Sequence, residues 1–115
     1  MSSERWPPEW QKGLFEMAVL AVIAATPEPT YGYRIVQALD AAGFGKVKGG
    51  TLYPILARLE QAGYLTSSWG EGEGGPGRKF VEITGTGKVH LKEMTQAWTS
   101  FNSMIGGLLA QGGST

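Results

Sequence analysis

The spacing of apolar positions along this chain changes twice, and the changes divide it into elements. From Glu9 to Ala25 the residues are good helix formers, and Leu14, Met17, Leu20, Val22 and Ile23 are spread around much of the helical circumference. A helix apolar on so many sides needs more than one neighbour to cover it. Trp6-Pro7-Pro8 is a stiff lead-in, since proline is tolerated in a first turn, and Thr26-Pro27-Glu28-Pro29 ends the segment. Thr30 is placed to cap a second helix reaching about Ala42, with Tyr31, Ile35, Val36 and Leu39 on its inner side. Gly43 and Gly45 stop it. A third helix is predicted from Thr51 to Ala62, with Pro54 in its first turn, Leu52, Ile55, Leu56 and Leu59 facing inward, and Gly63 as the stop.

The period then shortens to two. Tyr64 to Trp69 reads as a strand, and Arg78 to Ile83 as a second, with Lys79, Val81 and Ile83 on one face and Arg78, Phe80 and Glu82 on the other. The glycine-rich run Gly70 to Gly77 between them is a loop whose tip is expected to be mobile. After Thr84, a candidate cap, the helical period returns: Leu91, Met94, Trp98, Phe101, Ile105 and Leu108 follow at intervals of 3, 4, 3, 4 and 3. That is a heptad seam, which favours packing against another helix along a narrow stripe. Gly106, Gly107, Gly112 and Gly113 weaken its end, so the tail is expected to fray. Helix, helix, helix, hairpin, helix is the order of a winged helix-turn-helix, mainly α with a small β component (α+β). The expected divisions are an extension over 1–8, a winged-helix domain over 9–84, a dimerisation helix over 85–111 and a flexible tail over 112–115.

Composition removes whole classes of function. A chain of 115 residues is one domain's worth, and the absence of cysteine excludes disulfides, thiolate nucleophiles and cysteine metal sites. His90 is the single histidine, so no histidine-centred triad or histidine-rich metal site is expected from one chain. Gly70 to Gly77 lacks the lysine-serine/threonine pair of a phosphate loop. No enzyme, metal or cofactor is therefore expected. The most apolar run, Leu14 to Ala25, contains Glu16 and is too short to span a bilayer, and no secretory leader is visible. A cytoplasmic protein without a membrane partner is the expectation.

Net charge is zero, with ten basic and ten acidic residues, which does not favour nucleic acid. Local charge is different: between Ala41 and Ser68 the charged residues are Lys46, Lys48, Arg58 and Glu60, and Arg78 and Lys79 follow the loop. In a helix-turn-helix the second helix of the pair offers its N-terminal residues to base edges in the major groove. Here these are Gly50, Thr51, Tyr53 and Pro54, with Gly49 before them, Lys46 and Lys48 flanking them, and Arg58 a turn further on. Arg78 and Lys79, at the base of the wing, suit phosphates or a minor groove. Each residue also has a plainer role: surface lysines commonly do no more than solubilise a loop, and Tyr53 suits half-buried packing. A winged-helix protein-interaction module without specific DNA binding is the alternative, which zero net charge and the acids Glu71 and Glu73 in the loop favour.

The residues also match a pattern. The run from Thr30 through Tyr31, Gly32, Tyr33 and Arg34 to Ile35 resembles the second helix of PadR-family regulators. Thr51 to Leu65 resembles that family's recognition helix and first wing strand, and Gly77 to Gly87 its second wing strand and entry to the last helix. The short chain, with Ser68-Trp69-Gly70-Glu71 and Ala97-Trp98-Thr99, is similar to the compact LmrR-like branch. The resemblance implies a homodimer in which the last helix of each subunit packs on the first helix of the other. It implies binding of a two-fold symmetric double-stranded operator, and repression relieved by planar aromatic or multidrug ligands in a pore at the dimer centre. Trp98 matches the pore tryptophan, with Trp10, Gly13, Leu14 and Met17 from the first helix and Met94, Phe101 and Asn102 from the last. Asn102 stands where an acidic residue would favour cations. Leu91, Trp98, Phe101, Ile105 and Leu108 would form the interface. Two readings of Trp98 remain open, interface packing and ligand contact, and the bulk of Trp10 and Phe101 is enough to fill a pore.

Overall fold

The computed structural model describes residues 6–71 and 77–113. The N-terminal residues 1–5 and the expected mobile loop tip and tail, over 72–76 and 114–115, lie outside the described residues. The order is α1 (Pro8–Ala25), α2 (Gly32–Ala41), α3 (Gly49–Gln61), β1 (Leu65–Gly70), β2 (Arg78–Ile83) and α4 (Gly85–Gly113). This is the winged helix expected from the sequence.

Three boundaries differ from the expected ones for identifiable reasons. Thr30 does not cap α2. It is 3% exposed, and its backbone exchanges both hydrogen bonds with Val81: its N–H donates at 2.9 Å and its carbonyl accepts at 2.7 Å. A β-branched residue takes extended backbone readily, and the bridge satisfies its backbone N–H and carbonyl. Helix α2 therefore begins at Gly32, with extended Tyr31 at its N-cap and no side-chain cap. The third helix starts at Gly49 rather than Thr51, because the Lys48 carbonyl accepts from both Thr51 and Leu52 at 2.9 and 3.0 Å. Pro54 consequently lies in the second turn rather than the first, where it has no N–H to return to the Gly50 carbonyl. Tyr64 belongs to the turn that closes α3, its N–H bonded to the Leu59 carbonyl at 2.9 Å, so β1 starts one residue later than expected.

The expected stops of α2 and α3 hold. Gly43 and Gly63 have φ of 99° and 87°, a left-handed conformation that side chains disfavour. Thr84 does cap its helix: its Oγ1 accepts from the Gly87 N–H at 2.9 Å. Helix α4 continues through Gly112 and Gly113, beyond the expected division at 111.

The wing is a two-stranded antiparallel hairpin with Leu65 opposite Ile83 and Gly70 opposite Arg78. Val81, paired with Ser67 and bridged to Thr30, fastens the wing to the segment before α2. The core is one cluster: Phe15, Val19, Leu20 and Ile23 from α1, Ile35 and Leu39 from α2, Leu52, Ile55, Leu56 and Leu59 from α3, and Leu65 and Val81 from the wing. Complete burial of such a side chain contributes roughly 1.5–3 kcal/mol. As its many-sided apolarity requires, α1 is covered by α2, α4 and β2.

Helix α4 differs from the other three helices. Gly87 is its one fully buried residue, and Leu91 packs partly against the core. Its 29 residues span about 43 Å at the α-helical rise, which accounts for the elongated shape of 60 × 33 × 22 Å. Among the described residues no helix is long and apolar enough to cross a membrane.

Candidate nucleic-acid interface

The exposed residues of α3 fall on two flanks. Gly49 and Tyr53 face α2: the Tyr53 ring reaches so close to Gly32 that a methyl group there would overlap its hydroxyl. Gly50, Thr51, Pro54 and Arg58 face α1, where they share a groove of about 560 Å³ with Gly13, Leu14, Met17 and Met94. The expected DNA residues thus surround the exposed N-terminal part of α3 but do not form one row.

Tyr53 lies over a junction of two helix N-termini. Neither Tyr31 at α2 nor Lys48 at α3 supplies a side-chain cap, so both first turns direct backbone N–H groups outward. Helix N-termini of this kind suit phosphate oxygens, through their N–H groups and the positive end of the helix dipole. Exposed Lys46 and Lys48 stand just before α3.

The wing completes the surface. A cavity of about 540 Å³ lies between Gly32, Tyr33 and Tyr53 on the helices and Trp69, Arg78 and Lys79 on the wing. The Arg78 guanidinium carbon is 4.4 Å from the centre of the Tyr31 ring, and that of Arg34 is 5.4 Å away on the same ring. Tyr31 in turn meets Phe80 edge-on, with centroids 5.5 Å apart. Cation–π contact and aromatic packing thus fix Arg78 against the start of α2. A hydrogen bond with Arg34 lowers the Tyr31 hydroxyl below its ordinary range, aided by the charges of Arg78 and Arg34 and opposed by desolvation.

Two expected DNA residues are engaged within the chain. Arg58 donates from Nε and a terminal nitrogen to Glu16 Oε2, at 2.8 and 2.5 Å, and so ties α3 to α1. Lys79 pairs with Glu60 at 3.2 Å, and Ser67 Oγ donates to the same carboxylate at 2.6 Å, clasping the wing to α3. Glu60 is held below the usual carboxylate range, first by the Ser67 hydrogen bond and then by Lys79. Arg78, Lys46 and Lys48 are in no ion pair among the described residues.

Sequence reasoning overlooked Tyr33, Arg34 and Trp69 as surface residues, with half-buried Tyr31 beside them. Tyr33 is 65% exposed and Trp69 74%. The signal for them is aromatic and basic residues at a helix start, which an inward assignment of Tyr31 hides. Of the expected pore residues, the α1–α3 groove gathers Gly13, Leu14, Met17 and Met94. Trp98, Phe101, Asn102, Ile105 and Leu108 lie further along α4, and Trp10 lies on α1 outside the groove.

The helix-turn-helix pair and the clasped wing define a winged-helix fold. The sequence matches the transcriptional regulator PadR-like family over residues 19–93, and the chain belongs to that family. It is similar to the crystal structure of a PadR-family transcriptional regulator from Eggerthella lenta, with 36% identity and a TM-score of 0.79, covering 88% of this chain and 86% of that one. A PadR-like transcriptional regulator from Bacillus cereus is 31% identical with a TM-score of 0.75, covering 88% and 96%. An uncharacterised protein of Lysinibacillus sphaericus is 31% identical over 77 residues, which are 65% of this chain and 71% of that protein. Members of the family are regulators of transcription rather than enzymes.

Proposed function

We propose that the protein is a homodimeric repressor that reads a two-fold symmetric operator. Helix α3 enters a major groove with Gly50, Thr51, Tyr53 and Pro54 at base edges. The N-terminus of α2 and the residues Lys46, Lys48 and Arg78 hold phosphates on either side. The observation that carries this reading is the meeting of two uncapped helix starts beside three cations that are in no ion pair among the described residues. Arg58 and Lys79 act here mainly by positioning α3 and the wing, because each is held by a carboxylate of the same chain.

The second copy packs on the seam of α4. Trp98 is 38% exposed, Phe101 55% and Leu108 56%, a continuous apolar stripe that a lone subunit leaves in water. Half-buried Leu91 extends it towards the core, and half-buried Ile105 lies within it. Pairing α4 of each subunit with α1 of the other covers the stripe together with Trp10, 62% exposed. The paired Trp98 rings then bound a space in which a planar aromatic ligand stacks, with Met94, Met17, Leu14 and Gly13 beside it, and ligand entry relieves repression. This is the compact LmrR-like arrangement, with neutral Asn102 giving no preference for cations.

A salt titration on a duplex recovered by genomic selection tests the DNA reading. With Lys46, Lys48 and Arg78 from both subunits on phosphates, the slope of log K against log salt is expected near −5. Lys48→Ala is expected to weaken all sequences alike, and Tyr53→Ala to cost about 1–3 kcal/mol on the specific site. A flat salt dependence, with no symmetric site selected, would contradict the proposal and favour a protein-interaction module.

A further inference from the structure

The operator reading leaves two exposed aromatic side chains without a role. Trp6 donates to the Gly43 carbonyl, Trp10, Trp98 and Phe101 belong to the proposed dimer seam, and Tyr53 is among the α3 residues given to base edges. Tyr33 and Trp69 remain, and they are the two most exposed aromatic residues among those described. They belong to different elements, α2 and β1. Both nevertheless line the cavity of about 540 Å³ between the helices and the wing, with Tyr53 bordering it from α3. That volume falls within the roughly 300–1,000 Å³ of small-molecule sites.

The rings of this pair are open. Tyr31 lines the same cavity, but its ring is taken by Arg34, Arg78 and Phe80. Among the described residues, the rings of Tyr33 and Trp69 meet neither another ring nor a cation. The charge around them has one sign, since Arg78 and Lys79 line the cavity and no carboxylate does. Glu60 holds Lys79, whereas Arg78 is in no ion pair among the described residues. A flat cation is repelled by this lining, and a neutral ring leaves the guanidinium unmatched. A nucleotide supplies both a flat face and an anion. Within a duplex the bases cover one another and offer a protein their edges in the grooves. Open ring faces beside a guanidinium therefore match an unstacked base. Aromatic faces along a positively charged groove are the means by which single strands are held.

We propose that this cavity is a stacking site for an unpaired base of single-stranded DNA, the base against Trp69 and Tyr33 and its phosphate at Arg78. The site goes beyond the operator reading and rests on it only for Arg78 as a phosphate contact.

Fluorescence anisotropy of the full chain with labelled (dT)4, compared with an oligomer of equal length and charge whose sugars carry no bases, separates stacking from phosphate attraction. The wild type is expected to bind (dT)4 at least about fivefold tighter, the lower end of what one stacked base contributes. Trp69→Ala is expected to bring the two oligomers within about twofold of each other. Trp69→Phe keeps a ring face and retains most of the difference. Arg78→Ala weakens both oligomers, since each loses a phosphate contact. Equal binding of the two oligomers by the wild type, a preference that Trp69→Ala leaves intact, or indifference of both oligomers to Arg78→Ala would overturn the proposal. A flat salt dependence on duplex would remove the operator reading alone, because the preference is measured between oligomers of equal charge at one salt concentration.

Discussion

At Gly87 there is no room for a methyl group. A Cβ there would overlap the Tyr64 carbonyl oxygen and approach Ile83 Cγ1 at 2.7 Å, so the first turn of α4 lies directly on the turn that closes α3. Backbone cannot give way as the end of a flexible side chain can, and Gly87→Ala is expected to cost about 1–3 kcal/mol in denaturant unfolding. A change below about 0.5 kcal/mol, the range of an ordinary surface substitution, would contradict this packing. Tyr31 offers a second test, since its hydroxyl is lowered chiefly by Arg34. In Arg34→Ala its ionisation should move back up, observable as a shift of the Tyr31 ring resonances to higher pH. Single residues of this kind were hard to read from the sequence. Gly87 is an ordinary glycine until Tyr64 is brought against it from more than twenty residues away, and Thr30 had the chemistry of a cap until Val81 claimed its backbone.

The elements themselves were largely legible, because the apolar spacing changes from helical to alternating where the structure changes. The inward faces of α2 and α3 followed from Ile35, Leu39, Leu52, Ile55, Leu56 and Leu59, all buried. What periodicity did not give was the contribution of side chains between elements. Arg58 and Lys79 carry the charge expected of DNA contacts, yet Glu16 and Glu60 reach them first. Each partner lies on another element, where spacing within one helix says nothing. The Glu60 clasp makes the attachment of the wing depend on acid. Its carboxyl is held below the usual range, so the clasp contributes above that range and is lost as pH falls through the lowered value. Comparing wild type with Glu60→Gln by denaturant unfolding from pH 7 to pH 3 should show the wild-type advantage disappearing in the carboxylate range. A constant difference between the two would contradict the clasp.

For the whole molecule, the core ends where α4 leaves it. Beyond Met94, which still borders the α1–α3 groove, the last helix carries Trp98, Phe101, Ile105 and Leu108 away from the core. The heptad spacing made this stripe visible in the sequence, and the structure leaves it uncovered in a lone chain. Two copies joined there would hold two α3 N-termini at a fixed separation, as reading two half-sites on one face of a duplex requires. Sedimentation of wild type and Phe101→Glu, with operator affinity measured on the same samples, tests the arrangement most directly. The expected result is a dimer for the wild type and a folded monomer for the variant, with operator affinity falling at least about a hundredfold, since one half-site loses its tethered partner. A wild type that sediments as a well-folded single subunit and still binds the symmetric site at full strength would contradict it.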